Sequence, residues 1–176
     1  MSPLTNALIH YWQRLPAESP AARRRCLESS CERVARGAEP RTVLLPYALG
    51  DADDDIVAAA TRAWLRTLAA STEDDAAAVD EAVEWVRRGL ALNRGAVFGA
   101  LLSLGDEATL ERLPALRLVL SATEVEVACR VLGPAPNERV VEFLVDWLAL
   151  LADGPHTGEQ RALATALQGW DRAEAA

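Results

Sequence analysis

Residues 49–65 read LGDADDDIVAAATRAWL, and this stretch decides the fold. Three acidic residues, Asp53–Asp55, stand immediately before an apolar run. That run has a spacing of three and four residues, which places one apolar stripe along a helix. Acidic side chains are favourable at the start of a helix, where they cap free N–H groups and oppose the helix dipole. The stripe consists of Ile56, Ala59, Ala60 and Ala63, widened by Val57, Trp64 and Leu68.

The same combination of apolar period and capping residues continues along the chain and predicts helices throughout. Ser19-Pro20 is a typical helix start, and Ser121 with Glu124 forms a capping-box pattern. Residues 137–152 are apolar on nearly every side, so we expect this helix to be the most buried. No segment alternates as a strand would, and the fold class is therefore all-α. Besides the helix after Asp53, the predicted helices cover 4–15, 20–36, 41–49, 72–92, 93–104, 106–120, 121–132, 137–152 and 158–168.

A short motif recurs at the joints between these helices. Leu49-Gly50-Asp51, Leu104-Gly105-Asp106 and Leu132-Gly133-Pro134 follow one another at gaps of 55 and 28 residues, close to two periods and one. Each motif is followed by helical sequence and, in most cases, by a second helix rich in small residues. On these residues the chain resembles the short HEAT-like repeats of bacteria. It departs from them at Val57 and Glu126, where the family often has arginine.

The resemblance implies an α-solenoid of about four helical hairpins over residues 40–170. A less regular N-terminal helical pair, residues 1–39, would pack on the array, and residues 171–176 would form a frayed tail. An irregular helical bundle is the alternative architecture.

Charge limits the classes of partner. All eighteen basic residues are arginine, which is typical of a GC-rich bacterial genome, and the formal net charge is −8. Residues 1–48 carry +3, residues 49–94 carry −5 and residues 95–176 carry −6. Nucleic-acid binding depends on cations that neutralise phosphates, so general DNA or RNA binding is not expected. The uncharged stretches are too short to span a bilayer, and we expect a cytoplasmic protein.

Sequence signatures of catalysis or metal binding are missing. Asp51, Asp53 and Asp55 match the start of a calcium loop, but Ile56 replaces its glycine and Arg62 its final glutamate. His10 and His156 are the only histidines, and the chain has no lysine for a Walker or Schiff-base site. We therefore expect no enzyme activity, no cofactor and no small-molecule substrate. Cys26, Cys31 and Cys129 are expected to be buried thiols in a reducing compartment.

The function that remains is a non-catalytic protein–protein interaction module, an adaptor or scaffold with an acidic solenoid surface. Its partner would be a protein with a basic surface. One alternative is an acidic inhibitor or immunity protein that neutralises a basic toxin. A second is a HEAT-like DNA-lesion glycosylase, whose basic groove has no counterpart after residue 48. The predicted contact residues are Asp53, Asp54, Asp55, Arg62, Trp64, Glu73, Asp74 and Asp75.

Overall fold

The computed structural model describes residues 18–69, 75–133, 136–152, 154–155 and 157–174. Within these ranges the chain is helical and contains no strand, which confirms the all-α fold class. The predicted first helix, residues 4–15, lies outside the described residues. In chain order the elements are α1 (Pro20–Ala35), α2 (Pro40–Val43), α3 (Leu45–Gly50), α4 (Asp54–Ala69), α5 (Asp75–Arg87), α6 (Arg94–Leu102), α7 (Glu107–Leu110), a 3₁₀ helix (Pro114–Leu118), α8 (Ala122–Leu132), α9 (Glu138–Leu151) and α10 (Thr157–Glu174).

The helices form two rows. In row B, α1, α4, α6, α8 and α10 lie side by side, and each contacts the next. Row A contains α2 and α3, then α5, then α7 with the 3₁₀ helix, and finally α9. Each row A element leads along the chain into a row B helix, so the described elements from α2 onward pair into hairpins. That these hairpins form an α-solenoid of HEAT-like repeats stays a prediction.

The helix boundaries follow local capping chemistry. The Ser121 hydroxyl caps α8 while the Glu124 carboxylate accepts the Ser121 N–H, as the capping-box pattern predicts. Gly37, Gly105 and Gly133 adopt positive φ at the predicted stops. Leu44 separates α2 from α3, so the helix predicted over 41–49 is interrupted, as expected from Pro46.

Three predicted helices have other limits in the structure. The one predicted to reach Leu92 ends at Arg87, because Gly89 has a φ of +67°. Leu90, expected on its apolar face, is therefore exposed. Pro114 divides the helix predicted over 106–120 into α7 and the 3₁₀ helix. The tail predicted from residue 171 is wrong in its start, since α10 continues to Glu174.

The most buried helix is α6, not α9 as predicted. Every residue from Gly95 to Leu102 is buried, because α6 lies between α4 and α8 and beneath α5. Its two glycines allow α8 to approach closely: a Cβ at Gly95 would lie 2.5 Å from the Glu124 carbonyl oxygen. By contrast, α9 buries only one face, formed by Val140, Phe143, Leu144 and Trp147.

Aromatic rings join separate elements of the core. Trp64 of α4 and Trp85 of α5 lie with their ring centroids 4.5 Å apart and their planes tilted by 50°. Phe98 of α6 meets Trp147 of α9 edge-on at 5.9 Å. Both contacts connect elements of different hairpins, so large side chains contribute to the packing of one hairpin against another.

Candidate functional site

The acidic turn before α4 is anchored by a buried ion pair. Asp51 is 3% exposed, and both of its carboxylate oxygens accept hydrogen bonds from Arg23 of α1, at 2.9 and 3.2 Å. The same carboxylate accepts the backbone N–H of Asp53. The turn is therefore fixed to α1 through a charged contact that is shielded from water.

The three predicted aspartates that follow are engaged within the chain. The Asp53 carboxylate caps α4 by accepting the N–H groups of Asp55 and Ile56. Asp54 accepts from Asn93 at 2.8 Å and from Arg130 of α8 at 2.5 Å. The carboxylates of Asp53 and Asp54 are therefore already hydrogen-bonded within the chain, and a partner would have to displace these contacts to bind them.

Only Asp55 of this triplet presents a mostly exposed carboxylate, and it pairs with Arg24 of α1 at 2.8 Å. Asp51, Asp54 and Asp55 together connect α4 to α1 and to α8. Of the three consecutive aspartates, only Asp53 is needed to cap α4. The inter-helix pairs account for Asp54 and Asp55.

Two further predicted contact residues support the packing of helices. Arg62 donates to the Ser103 hydroxyl and to the Val131 carbonyl, both at 3.0 Å, so it joins α4 to the ends of α6 and α8. Burial lowers the pKa of this guanidinium, and the nearby Arg66 lowers it further. Arg62 is half-buried, and both hydrogen bonds hold its guanidinium within the chain.

Trp64 is 0% exposed, so it cannot be a contact residue for a partner. Trp170 of α10 is also buried and donates its indole N–H to the Gly133 carbonyl. Glu73 and Asp74 lie outside the described residues, and for Asp75 only the backbone, at the start of α5, is described.

A surface that the sequence did not point to lies between the 3₁₀ helix and α9. Leu118 is 90% exposed and Leu150 is 70% exposed, and both line a groove of about 570 Å³. Pro114, Leu120 and Leu151 add apolar atoms to its walls. We call this surface the leucine groove. The apolar sequence of residues 137–152 predicted a helix buried on nearly every side, and Leu150 lies in it. Apolar periodicity does not indicate how many faces of a helix are covered by other helices, so the exposure of Leu150 was not predicted.

Two residues that line the leucine groove also contain buried donor nitrogens without a partner among the described residues. Trp147 lines the groove and is 1% exposed, and its indole N–H is unpaired. Arg117 lies over the Phe143 ring at 4.2 Å and donates to the Phe143 carbonyl, while its Nε–H is unpaired. Burial lowers the pKa of Arg117, and the charge of Asp146 opposes this shift.

An acidic stripe leads along α9 to the leucine groove. Glu138, Glu142, Asp146 and Leu150 follow one another at four-residue spacing, and all four are exposed. Neighbours at this spacing are adjacent on a helix, and the row turns by about 40° around the axis at each step. Glu138 and Glu142 form no ion pair with any residue that the structure describes. We call the carboxylates of Glu138, Glu142 and Asp146 the α9 acidic stripe.

The part of the chain with described side chains contains no group of three or more His, Cys, Asp or Glu residues placed to hold a metal ion. Cys129 is buried, and this burial raises the pKa of its thiol to about 11. Cys26 and Cys31 are only half-buried, against the expectation that all three thiols are buried.

None of the helices described above has the length and apolar character needed to cross a membrane. No protein-family model, curated protein or solved structure matches the chain. The geometry of its own residues is therefore the basis for a functional proposal.

Proposed function

We propose that this chain is a non-catalytic protein–protein interaction module, an adaptor built from HEAT-like hairpins. One observation carries the proposal: two strongly exposed leucines, Leu118 and Leu150, line a single groove. Apolar side chains that share an open groove are typical of protein-binding surfaces, whereas isolated exposed leucines need no explanation. Row A provides this surface.

The distribution of charge supports a basic partner. The row A helices contain eight acidic residues and four arginines, a net charge of −4. The row B helices contain nine acidic residues and ten arginines, a net charge of +1. An acidic row attracts a positively charged protein during diffusion, and this attraction weakens as salt screens it.

The free thiols support a reducing compartment, and we propose the cytoplasm. Cys26, Cys31 and Cys129 are all unbridged. Disulfides are rare where thiols are kept reduced.

The proposal is tested by capturing partners on the full chain and identifying them by mass spectrometry at about 50 mM and about 500 mM salt, on either side of the screening range. We expect a discrete partner whose recovery falls at high salt. Changing Glu138 and Glu142 to glutamine should reduce recovery, while Glu126→Gln in row B, also exposed, should not. No specific retention at either salt would contradict the proposal.

A second function, an acidic inhibitor of a basic enzyme or toxin, is favoured by the α9 acidic stripe. An inhibitor has to block the activity of its partner at equal molar amounts, whereas an adaptor leaves that activity intact. Once the captured partner is identified, an activity assay with one equivalent of this chain distinguishes the two functions. Electrostatic steering should give the inhibitor complex a rate of association that falls steeply with salt.

A further inference from the structure

We propose that the leucine groove and the α9 acidic stripe form one docking site for a cationic amphipathic segment of the partner. Apolar side chains of that segment would contact Leu118 and Leu150, and its basic side chains would pair with Glu138, Glu142 and Asp146. This inference rests on the proposed function and specifies the chemistry of the partner.

The apolar half of the site has the geometry of a receiving groove. Leu118, on the 3₁₀ helix, and Leu150, near the end of α9, both line the cavity, whose walls also include Pro114 and Leu120. The other exposed apolar side chains, such as Leu90 and Val145, do not line it. An inserted side chain would therefore remove apolar surface from water on several sides at once.

The charged half of the site places carboxylates next to one another. Like charges four residues apart on a helix repel each other, and Glu138, Glu142 and Asp146 repeat that spacing twice. From Glu138 to Leu150 the proposed site extends about 18 Å along the helix axis. A helical segment of about twelve residues is long enough to cover this distance.

The charge also argues against a second copy of this chain as the occupant. A two-fold dimer places the same patch on both sides of its interface, so the α9 acidic stripe would face another acidic stripe. A cationic segment meets the carboxylates with opposite charge, which lowers the free energy of the complex and fixes its register.

The test uses two synthetic helix-forming peptides that carry leucines on one face and either lysines or glutamates on the other. Binding to the full chain is measured by calorimetry and mapped by amide NMR shifts. We expect the lysine peptide to bind, to shift the signals of Leu118 and Leu150, and to lose affinity with salt. The glutamate peptide should not bind. Leu118→Ser with Leu150→Ser should weaken binding about tenfold or more.

The matched control is Leu90→Ser with Leu92→Ser, because both leucines are more than half exposed and neither lines the groove. This control should bind like the unmodified chain. Glu138→Gln with Glu142→Gln should weaken binding and flatten its salt dependence. Circular dichroism checks that each variant folds, and Leu118→Ala with Leu150→Ala serves as the second variant if serine perturbs the helices.

Three results would overturn the inference. They are equal binding of the two peptides, unchanged affinity after both leucine substitutions, and a dimer in light scattering that these substitutions convert to a monomer. If a captured partner is still retained by the leucine variant, the docking site is wrong but the interaction function stands. If no partner is captured at all, the function itself fails.

Discussion

Asp51 has a carboxylate that water hardly reaches, so its charge depends on Arg23. Removing one partner of a buried ion pair leaves the other charge unpaired, which costs more than the pair contributes when intact. Asp55 and Arg24 form a pair between the same two helices, but both side chains are mostly exposed. Exposed pairs contribute little, because water screens them and two long side chains lose freedom.

These two pairs give a matched prediction. Asp51→Asn should lower the free energy of unfolding by about 3 kcal/mol, whereas Asp55→Asn should lower it by less than about 1 kcal/mol. Urea denaturation followed by helical circular dichroism measures both values. Equal effects of the two substitutions would show that Asp51 is not the anchor of the turn.

Glu124 gives a prediction about acid stability. Burial raises its pKa, but hydrogen bonds from Ser121 and from Arg94 of α6 outweigh burial and lower it below the usual value. A lowered pKa stabilises the fold fully above the unfolded value of about 4.3. This contribution is lost as the pH falls through the lowered folded pKa.

Glu124→Gln should therefore reduce stability by about 1 kcal/mol at pH 7, and the difference from the unmodified chain should shrink in acid. Urea titrations between pH 7 and pH 3 measure it. Glu126→Gln, an exposed neighbour on the same helix, should show neither effect. A difference that stays constant over this range would exclude the ionised carboxylate as the cause.

At the scale of elements, α6 shows how missing side chains set the distance between helices. A Cβ at Gly99 would lie 2.8 Å from the Ala128 carbonyl oxygen and at the same distance from the Val131 Cβ. Both neighbours belong to α8, and a backbone carbonyl cannot turn away as a flexible side chain can. The close contact of α6 with α8 therefore requires glycine at this position and at Gly95.

Gly95→Ala and Gly99→Ala should each destabilise the fold by about 1–3 kcal/mol, although alanine is the better helix former. Gly169→Ala is the control, since no atom outside its own helix turn lies within 4 Å of the added Cβ. That change should stabilise the fold by up to about 1 kcal/mol. Thermal unfolding measures all three, and a gain at Gly95 or Gly99 would refute the close approach.

The ends of the helices were predictable from sequence where nearby residues determine them. Ser121 with Glu124, Asn93 and Gly133 mark helix ends by contacts within three residues of each end. The environment of α9 was not predictable in this way, because its burial depends on which other helices reach it. Phe143 and Leu150 are both apolar residues in the apolar sequence of α9, yet Phe143 is buried and Leu150 is exposed.

The contacts of the predicted site residues were not predictable for a related reason. Asp54 meets Arg130, 76 residues away, and no spacing rule connects two such positions. Counting carboxylates on the sequence therefore predicted an acidic patch where the fold holds ion pairs. Leu118 was missed because the 3₁₀ helix turns its side chain outward after Pro114 interrupts the helical period.

On the scale of the whole molecule, most contacts join neighbouring elements along each row or between adjacent hairpins. The bridge from α4 to α8, through Arg62 to Val131 and Asp54 to Arg130, is a contact that passes over one hairpin. It joins the two helices that contact α6 along row B. Stability should therefore differ between the middle of the array and the hairpin formed by α9 and α10.

Native-state hydrogen exchange tests this expectation. The amides of α6 should exchange only through global unfolding, while those of α9 should open at a lower free energy. Arg130→Gln should lower the protection of α6 more than that of α9, because it removes one contact of the bridge. Uniform protection along the chain would instead indicate one cooperative core.

The packed indoles of Trp64 and Trp85 have an optical consequence. Electronic transitions of two rings 4.5 Å apart and tilted by 50° mix, and the mixing gives a paired positive and negative band in the far-ultraviolet dichroism. The two rings belong to the first and second hairpins, so this couplet reports the joint between them and not the helices themselves. If the contact between α4 and α5 loosens while the helices persist, the couplet should disappear before the helical dichroism does. The contact can therefore be followed without an added label.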